Sequence, residues 1–281
     1  SKDGGVVDTC LLVLHDWSNF LSLTNEEIDA ERGVITEEWR TRQNARARIY
    51  NQLAPYYYNN SLYADRMPIG DMEIVKNFKY QVLKDFYKDW YRPDLQAIAI
   101  VGDINADEIE AKIKKLFADI PTPQNPKKRF EIAIPERVEP TFKLALDKEI
   151  SASNISYMIR HTAEKPTETY ADLEKSTQRG IAFSILNNRL AEMAQKQECP
   201  FKSASIGYQN YTRLNDIWIL SVAPKPEKQA EAFAMVMNEW VRAYKFGFSK
   251  GEIERAVAEN ISGYENYLEK LNEISHKDVI G

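Results

Sequence analysis

The residues best suited to chemistry are two glutamates in the run Ala30-Glu31-Arg32-Gly33-Val34-Ile35-Thr36-Glu37-Glu38-Trp39-Arg40. Glu31 and Glu38 stand seven positions apart, so on an α-helix they differ by about 20° of rotation and share a face, about 10.5 Å apart along the axis. Carboxylate oxygens bind zinc at about 2.0 to 2.2 Å, so a rise of that size lets one of the pair coordinate a given ion while the other orients it from behind. The Glu37 side chain points about 100° away from Glu38 and is expected to face solvent. Geometry alone leaves a plainer alternative open, because an acidic helical face is usually just a hydrated one.

Other chemistries find little support. There is no GxSxG elbow, no GxxxxGK[ST] phosphate loop and no GxGxxG after a strand, which removes the nucleotide and hydrolase-elbow readings. The three histidines, His15, His161 and His276, have no second His or Cys at metal-ligand spacing, and each reads as a solvated or hydrogen-bonded side chain. Cys10 and Cys199 fit no zinc or disulfide spacing and read as buried small hydrophobes. The aromatic run Tyr56-Tyr57-Tyr58 is expected to pin its loop to a core rather than to contact a substrate.

The elements that would position the glutamates follow from periodicity and capping. Val6 to Leu21 carries helical apolar spacing, and Thr24 with Glu27 forms a capping box that opens a helix expected to run from Asn25 to Leu53. Asp71 can start a short helix, and Lys79 to Trp90 is amphipathic up to the Arg92-Pro93 break. Gln96 to Val101 reads as a buried strand, and Asn105 can cap a helix over Ala106 to Phe117. Further on, Thr141 to Ala145 and Ile155 to Arg160 read as strands, and Tyr170 to Lys196 as a long helix. Ser203 to Tyr211 with Asp216 to Ala223 reads as a hairpin, followed by helices over Pro226 to Phe246 and Ser249 to Glu273. The fold class is α+β: two related domains, each a mostly antiparallel sheet with helices packed on it.

Composition bounds the alternatives. The chain has 281 residues, of which 43% are hydrophobic and 28% charged, enough apolar material for packed cores and enough length for two domains. Lys and Arg number 37 against 42 Asp and Glu, a net charge of −5 with no basic block, which argues against a nucleic-acid partner. No apolar run approaches the roughly 18 residues that would cross a bilayer. Five of the twelve prolines fall between Pro121 and Pro140. That composition suits an extended connector, so the expected organisation is a first domain over residues 1–122, a linker over 123–140 and a second domain over 141–281. The chain opens without Met and stops just after a strongly helical stretch, and it is expected to be a piece of something larger.

The stretches EEIDAERGVITEEWR, YADRMPIG and FYKDWYRPDLQAIAIVGDINADEIEAKIKKLFADIPTP resemble the first domain of the insulinase/pitrilysin family of zinc metallopeptidases. These segments lie between Leu11 and Pro123, and the remaining half is similar to the family's following structural repeat only in its pattern of elements. The resemblance implies a LuxS/processing-peptidase type of architecture. It also implies that Glu38 is the third zinc ligand and Glu31 a supporting acid. In that family an inverted HxxEH motif on an earlier helix supplies two His ligands and a general-base Glu, and the zinc polarises the scissile carbonyl and activates water.

HxxEH is not in this sequence: His15 is followed by Asp16-Trp17-Ser18-Asn19, which lacks both the Glu and the second His. The motif is expected before Ser1, and these 281 residues alone are expected to bind no zinc tightly and to be inactive. The resemblance further implies peptides or small unfolded proteins as substrates, held in a chamber formed with the other half of the same chain or with a homologous subunit. A bacterial periplasmic or envelope location follows from the same likeness. The rival expectation is a non-catalytic homologue that serves as a scaffold or partner-binding subunit.

Overall fold

The computed structural model describes residues 4–164, 168–275 and 278. Backbone contacts divide it into two compact units. One comprises residues 4–43 and 66–130 with the described residues from 272 on; the other comprises 44–65 and 131–271. The change of unit at Phe130 falls inside the Pro-rich 123–140 stretch, but residues 44–65, expected in the first domain, pack with the second.

The first unit contains α1 (Gly4–Asn19) and α2 (Asn25–Thr41). The second begins with α3 (Ala45–Tyr57) and α4 (Leu62–Asp65). The chain then returns to the first unit for α5 (Met72–Asn77), α6 (Tyr80–Trp90) and α7 (Ala106–Leu116). The expected helix from Asn25 to Leu53 is therefore two helices. Asn44 ends the first option by capping the second, its side chain accepting from the Ala47 N–H at 3.0 Å, which satisfies a donor that a continuous helix would have bonded internally. Asp71 and Asn105 cap α5 and α7 as the sequence suggested.

Two expected strands are absent as ladders. Gln96 to Val101 runs without strand pairing, with Ile98 and Val101 exposed, because no strand lies in the first unit among the described residues to take its backbone groups. Thr141 to Ala145 is likewise unpaired; it runs beside α3, where Gln52 donates to the Leu146 carbonyl and Arg48 pairs with Asp147 at 2.6 Å.

The sheet lies in the second unit. It is antiparallel with order β1-β3-β2, built from β1 (Ile155–Thr162), β2 (Phe201–Thr212) and β3 (Asn215–Pro224). The expected hairpin is β2 and β3, in register with Ile206 opposite Leu220 and Tyr208 opposite Trp218. Helices α8 (Tyr170–Ala194) and α9 (Gln229–Phe246) pack on it, and α10 (Lys250–Glu269) packs on α8. Apolar residues alternate along β3, so Leu220 and Val222 join Leu190, Phe201 and Val236 in a core from which water is excluded. The protein is thus α+β, with its described sheet confined to one unit.

Residues 44–65 are tied into this unit by aromatic stacking and carbonyl contacts. Tyr58 stacks on Tyr211 with ring centroids 5.3 Å apart, its hydroxyl is 2.9 Å from that of Tyr50, and Arg160 donates to the Tyr57 and Pro135 carbonyls. The tyrosine run anchors its segment, as its composition suggested. Cys199 is buried, but Cys10 is exposed, because it falls on the outer side of α1, away from buried Leu11.

Candidate functional site

Helix α2 carries both glutamates. It begins with the expected capping box: the Thr24 hydroxyl accepts from the Glu27 N–H at 3.2 Å, and the Glu27 carboxylate accepts from the Thr24 N–H at 3.0 Å. Ile28 is buried. On the neighbouring turn Arg32 donates to the Phe78 carbonyl, pairs with Asp29 at 3.0 Å and lies over the Phe78 and Tyr80 rings. Tyr80 donates to Asp29 at 2.7 Å, and Lys84 reaches Asn25 at 3.1 Å. One side of α2 is thereby fastened to the junction of α5 and α6, and the other side stays open.

The helix is continuous from Asn25 to Thr41, so Glu31 and Glu38 do share a face at the separation that seven residues impose. Ala30, Gly33, Val34, Glu37, Glu38 and Thr41 line a shallow open concavity there. Gly33 leaves open space at the place where a Cβ would stand. Glu31 is exposed. The Glu38 side chain is 43% accessible and pairs with Arg42, while Glu37, at 63%, pairs with Arg40 at 2.9 Å. Glu37 is the more hydrated of the two, yet it also borders the concavity. The Arg42 contact is an i,i+4 pairing that the spacing of Glu38 and Arg42 spells out in sequence. The Arg32 clamp had a partial signal in the i,i+3 spacing of Asp29 and Arg32.

The His15 ring is buried and bonded to Asp16 and Asp119, His161 is exposed on β1, and His276 lies outside the described residues. Among the described residues no three His, Cys, Asp or Glu side chains come together as a metal site. One carboxylate does not hold zinc against water, so these residues do not fit a self-sufficient zinc centre.

An antiparallel sheet covered by helices makes the second unit an α+β domain, and the described residues assemble no complete metal site. Residues 77–260 match the family model described as Peptidase M16 inactive domain. The chain belongs to the M16 peptidases, the insulinase/pitrilysin family. The matched range begins after α2, so Glu31 and Glu38 lie outside it.

The chain is 27% identical to the protein named "Probable zinc protease PqqL" from Escherichia coli over 94% of its own length and 28% of that protein's. It is 31% identical to the protein of the same name from Haemophilus influenzae over 69% of its length and 21% of that protein's. The crystal structure of the first half of the periplasmic protease PqqL from Escherichia coli superposes with a TM-score of 0.85 at 24% identity, over 98% of this chain and 58% of that one. The chain therefore spans about a quarter of the length of these curated relatives. No described helix is long and apolar enough to cross a membrane.

Proposed function

We propose that these residues form part of a zinc metalloendopeptidase, with Glu38 as the metal ligand on α2 and Glu31 as the acid that orients the site. The observation that carries this reading is the state of Glu38: an exposed carboxylate on the free face of a firmly fastened helix, engaged among the described residues by an exposed arginine that a divalent cation can displace at little cost. The two imidazole ligands and the general-base Glu come, in this reading, from sequence outside these 281 residues. Substrates are peptides or small unfolded proteins enclosed between this part and another half of the protein or a homologous subunit. The periplasm of a bacterium is the matching location, supported by the description of the PqqL structure.

A second reading is favoured by one finding: most of the chain matches a domain described as inactive. On that reading the protein is a scaffold and Glu38 a relic. Peptide hydrolysis by the longer protein separates the two. The enzyme cleaves an unfolded peptide in a manner abolished by a chelator and restored by zinc; the scaffold shows neither activity nor zinc-dependent rescue. For the 281 residues alone, calorimetry is expected to show no tight stoichiometric zinc site, and tight binding of one ion per chain would contradict the ligand assignment.

A further inference from the structure

His15 is one of two buried side chains on α1, the other being Leu11. Both of its ring nitrogens meet carboxylates. Nδ1 is 3.0 Å from Asp16 Oδ1 on the same helix, and Nε2 is 2.9 Å from Asp119 Oδ1 in the 3-10 turn Phe117–Asp119 that follows α7. An ionised carboxylate only accepts hydrogen bonds. A neutral imidazole, with hydrogen on one nitrogen, would point the lone pair of the other at a negative oxygen. The arrangement therefore selects the imidazolium, which donates from both sides.

The surroundings support that choice. The ring is 9% accessible, whereas the two carboxylates that face it are 54% and 64% accessible and keep much of their hydration. Phe20 stacks on it at 4.6 Å and Phe117 meets it edge-on at 5.4 Å, so the uncharged neighbours fix the plane of the ring. Four other polar ties hold α1 to its unit, three of them in its last turn: Lys112 on α7 pairs with Asp8 at 2.5 Å, Tyr87 donates to the Trp17 carbonyl, Gln96 to the Ser18 carbonyl and Asn19 to the Tyr91 carbonyl, each at 2.9 Å. Leu12, Leu14 and Trp17 are exposed, so apolar burial anchors α1 chiefly through Leu11.

We propose that the junction of α1 with the turn after α7 is a proton-operated latch, docked while His15 carries hydrogen on both ring nitrogens and released when one is lost. The hydrogen bond to Asp119, then that to Asp16, raise the proton affinity of His15 above its ordinary value, and they outweigh the opposing effect of burial. With the folded value above the free one, the contribution of the latch is present in full below about pH 6.5 and is lost as pH rises through the folded value.

The test is a proton NMR titration of the histidine Cε1–H signals in the 281-residue chain, paired with hydrogen exchange of the α1 amides corrected for intrinsic rates. The His15 midpoint is expected above 6.5, and α1 protection is expected to fall on raising the pH from about 6 to about 8.5, by up to tenfold for each unit of that elevation. Asp119→Asn keeps the shape of the contact and removes its charge; it is expected to lower the midpoint and flatten the exchange profile. His15→Gln identifies the signal, and should that variant not fold, the proximity of the ring to Phe20 assigns it in the unaltered protein. A midpoint at or below 6.5, or α1 protection that stays constant while the ring titrates, would overturn the latch.

Discussion

At the scale of single residues, the account turns on how weakly Glu38 is committed within the chain. Its partner Arg42 is 66% accessible, and an exposed pair of this kind contributes about 0 to 1 kcal/mol. Arg42→Ala is therefore expected to change urea stability by less than about 1 kcal/mol. A loss of several kcal/mol would make Glu38 a structural anchor and remove it from the ligand role. Gly33, one turn before Glu37, offers a complementary check, since nothing stands where its Cβ would be. Gly33→Ala is expected to stabilise the chain by about 0.5 to 1 kcal/mol through reduced backbone freedom, read as a raised urea midpoint with an unchanged slope. A destabilised variant would show that the open face is packed more closely than the structure has it.

At the scale of elements, α8, α9 and α10 meet at Arg189, which pairs with Glu239 at 2.8 Å and with Glu252 at 2.5 Å and lies over Phe248. Arg189 holds the Glu252 carboxyl far below the usual carboxylate range. Burial pushes Glu239 up, but hydrogen bonds from Arg242 and Arg189 prevail and keep it below its ordinary value. Removing one member of a largely buried cluster strands the others, so Arg189→Met is expected to cost about 3 kcal/mol by urea unfolding. Adding Glu239→Leu is expected to recover part of that loss. If Arg189→Met is neutral, the three helices are held by apolar contact alone.

The elements also show where local sequence suffices. The boxes Thr24 with Glu27 and Ser249 with Glu252 mark the starts of α2 and α10, because a cap is decided by residues three apart. The β2 and β3 hairpin was legible for a similar reason, its alternation and its turn being local. Gln96 to Val101 was not, since a strand exists only with a neighbour, and apolar composition does not say whether one is present. The break at Asn44 was hidden because the same Asn serves in a helix interior or at a cap, and tertiary contacts of α3 with 131–271 decide between them. Of the site, the shared face of Glu31 and Glu38 was readable from spacing; the fastening of α2 through Arg32 and Phe78 joins residues 46 positions apart and was not.

At the scale of the whole molecule, acid stability gives a check on the second unit. Arg48, beside Asp147, holds that carboxyl down to about 2, with help from the Glu149 N–H. A depressed carboxyl contributes stability in full above its free value of about 3.8 and loses it as pH falls through the folded value. Arg48→Gln is accordingly expected to lower stability at neutral pH and to shrink that difference as the pH approaches about 2, measured by circular dichroism during acid titration. A difference that does not depend on pH would place the effect of Arg48 in packing.

Membership of the M16 family and the α+β fold rest on the match over residues 77–260 and on the close superposition with the first half of PqqL. The proposed proteolytic role rests on α2, which lies before that match. The most direct measurement is zinc content and peptide hydrolysis of the purified longer protein, with Glu38→Gln and Glu31→Gln compared with the unaltered protein. Glu38→Gln is expected to lose most of the bound zinc together with hydrolysis, and Glu31→Gln to keep most of the metal while losing activity. Full zinc occupancy and undiminished cleavage in Glu38→Gln would contradict the proposed role.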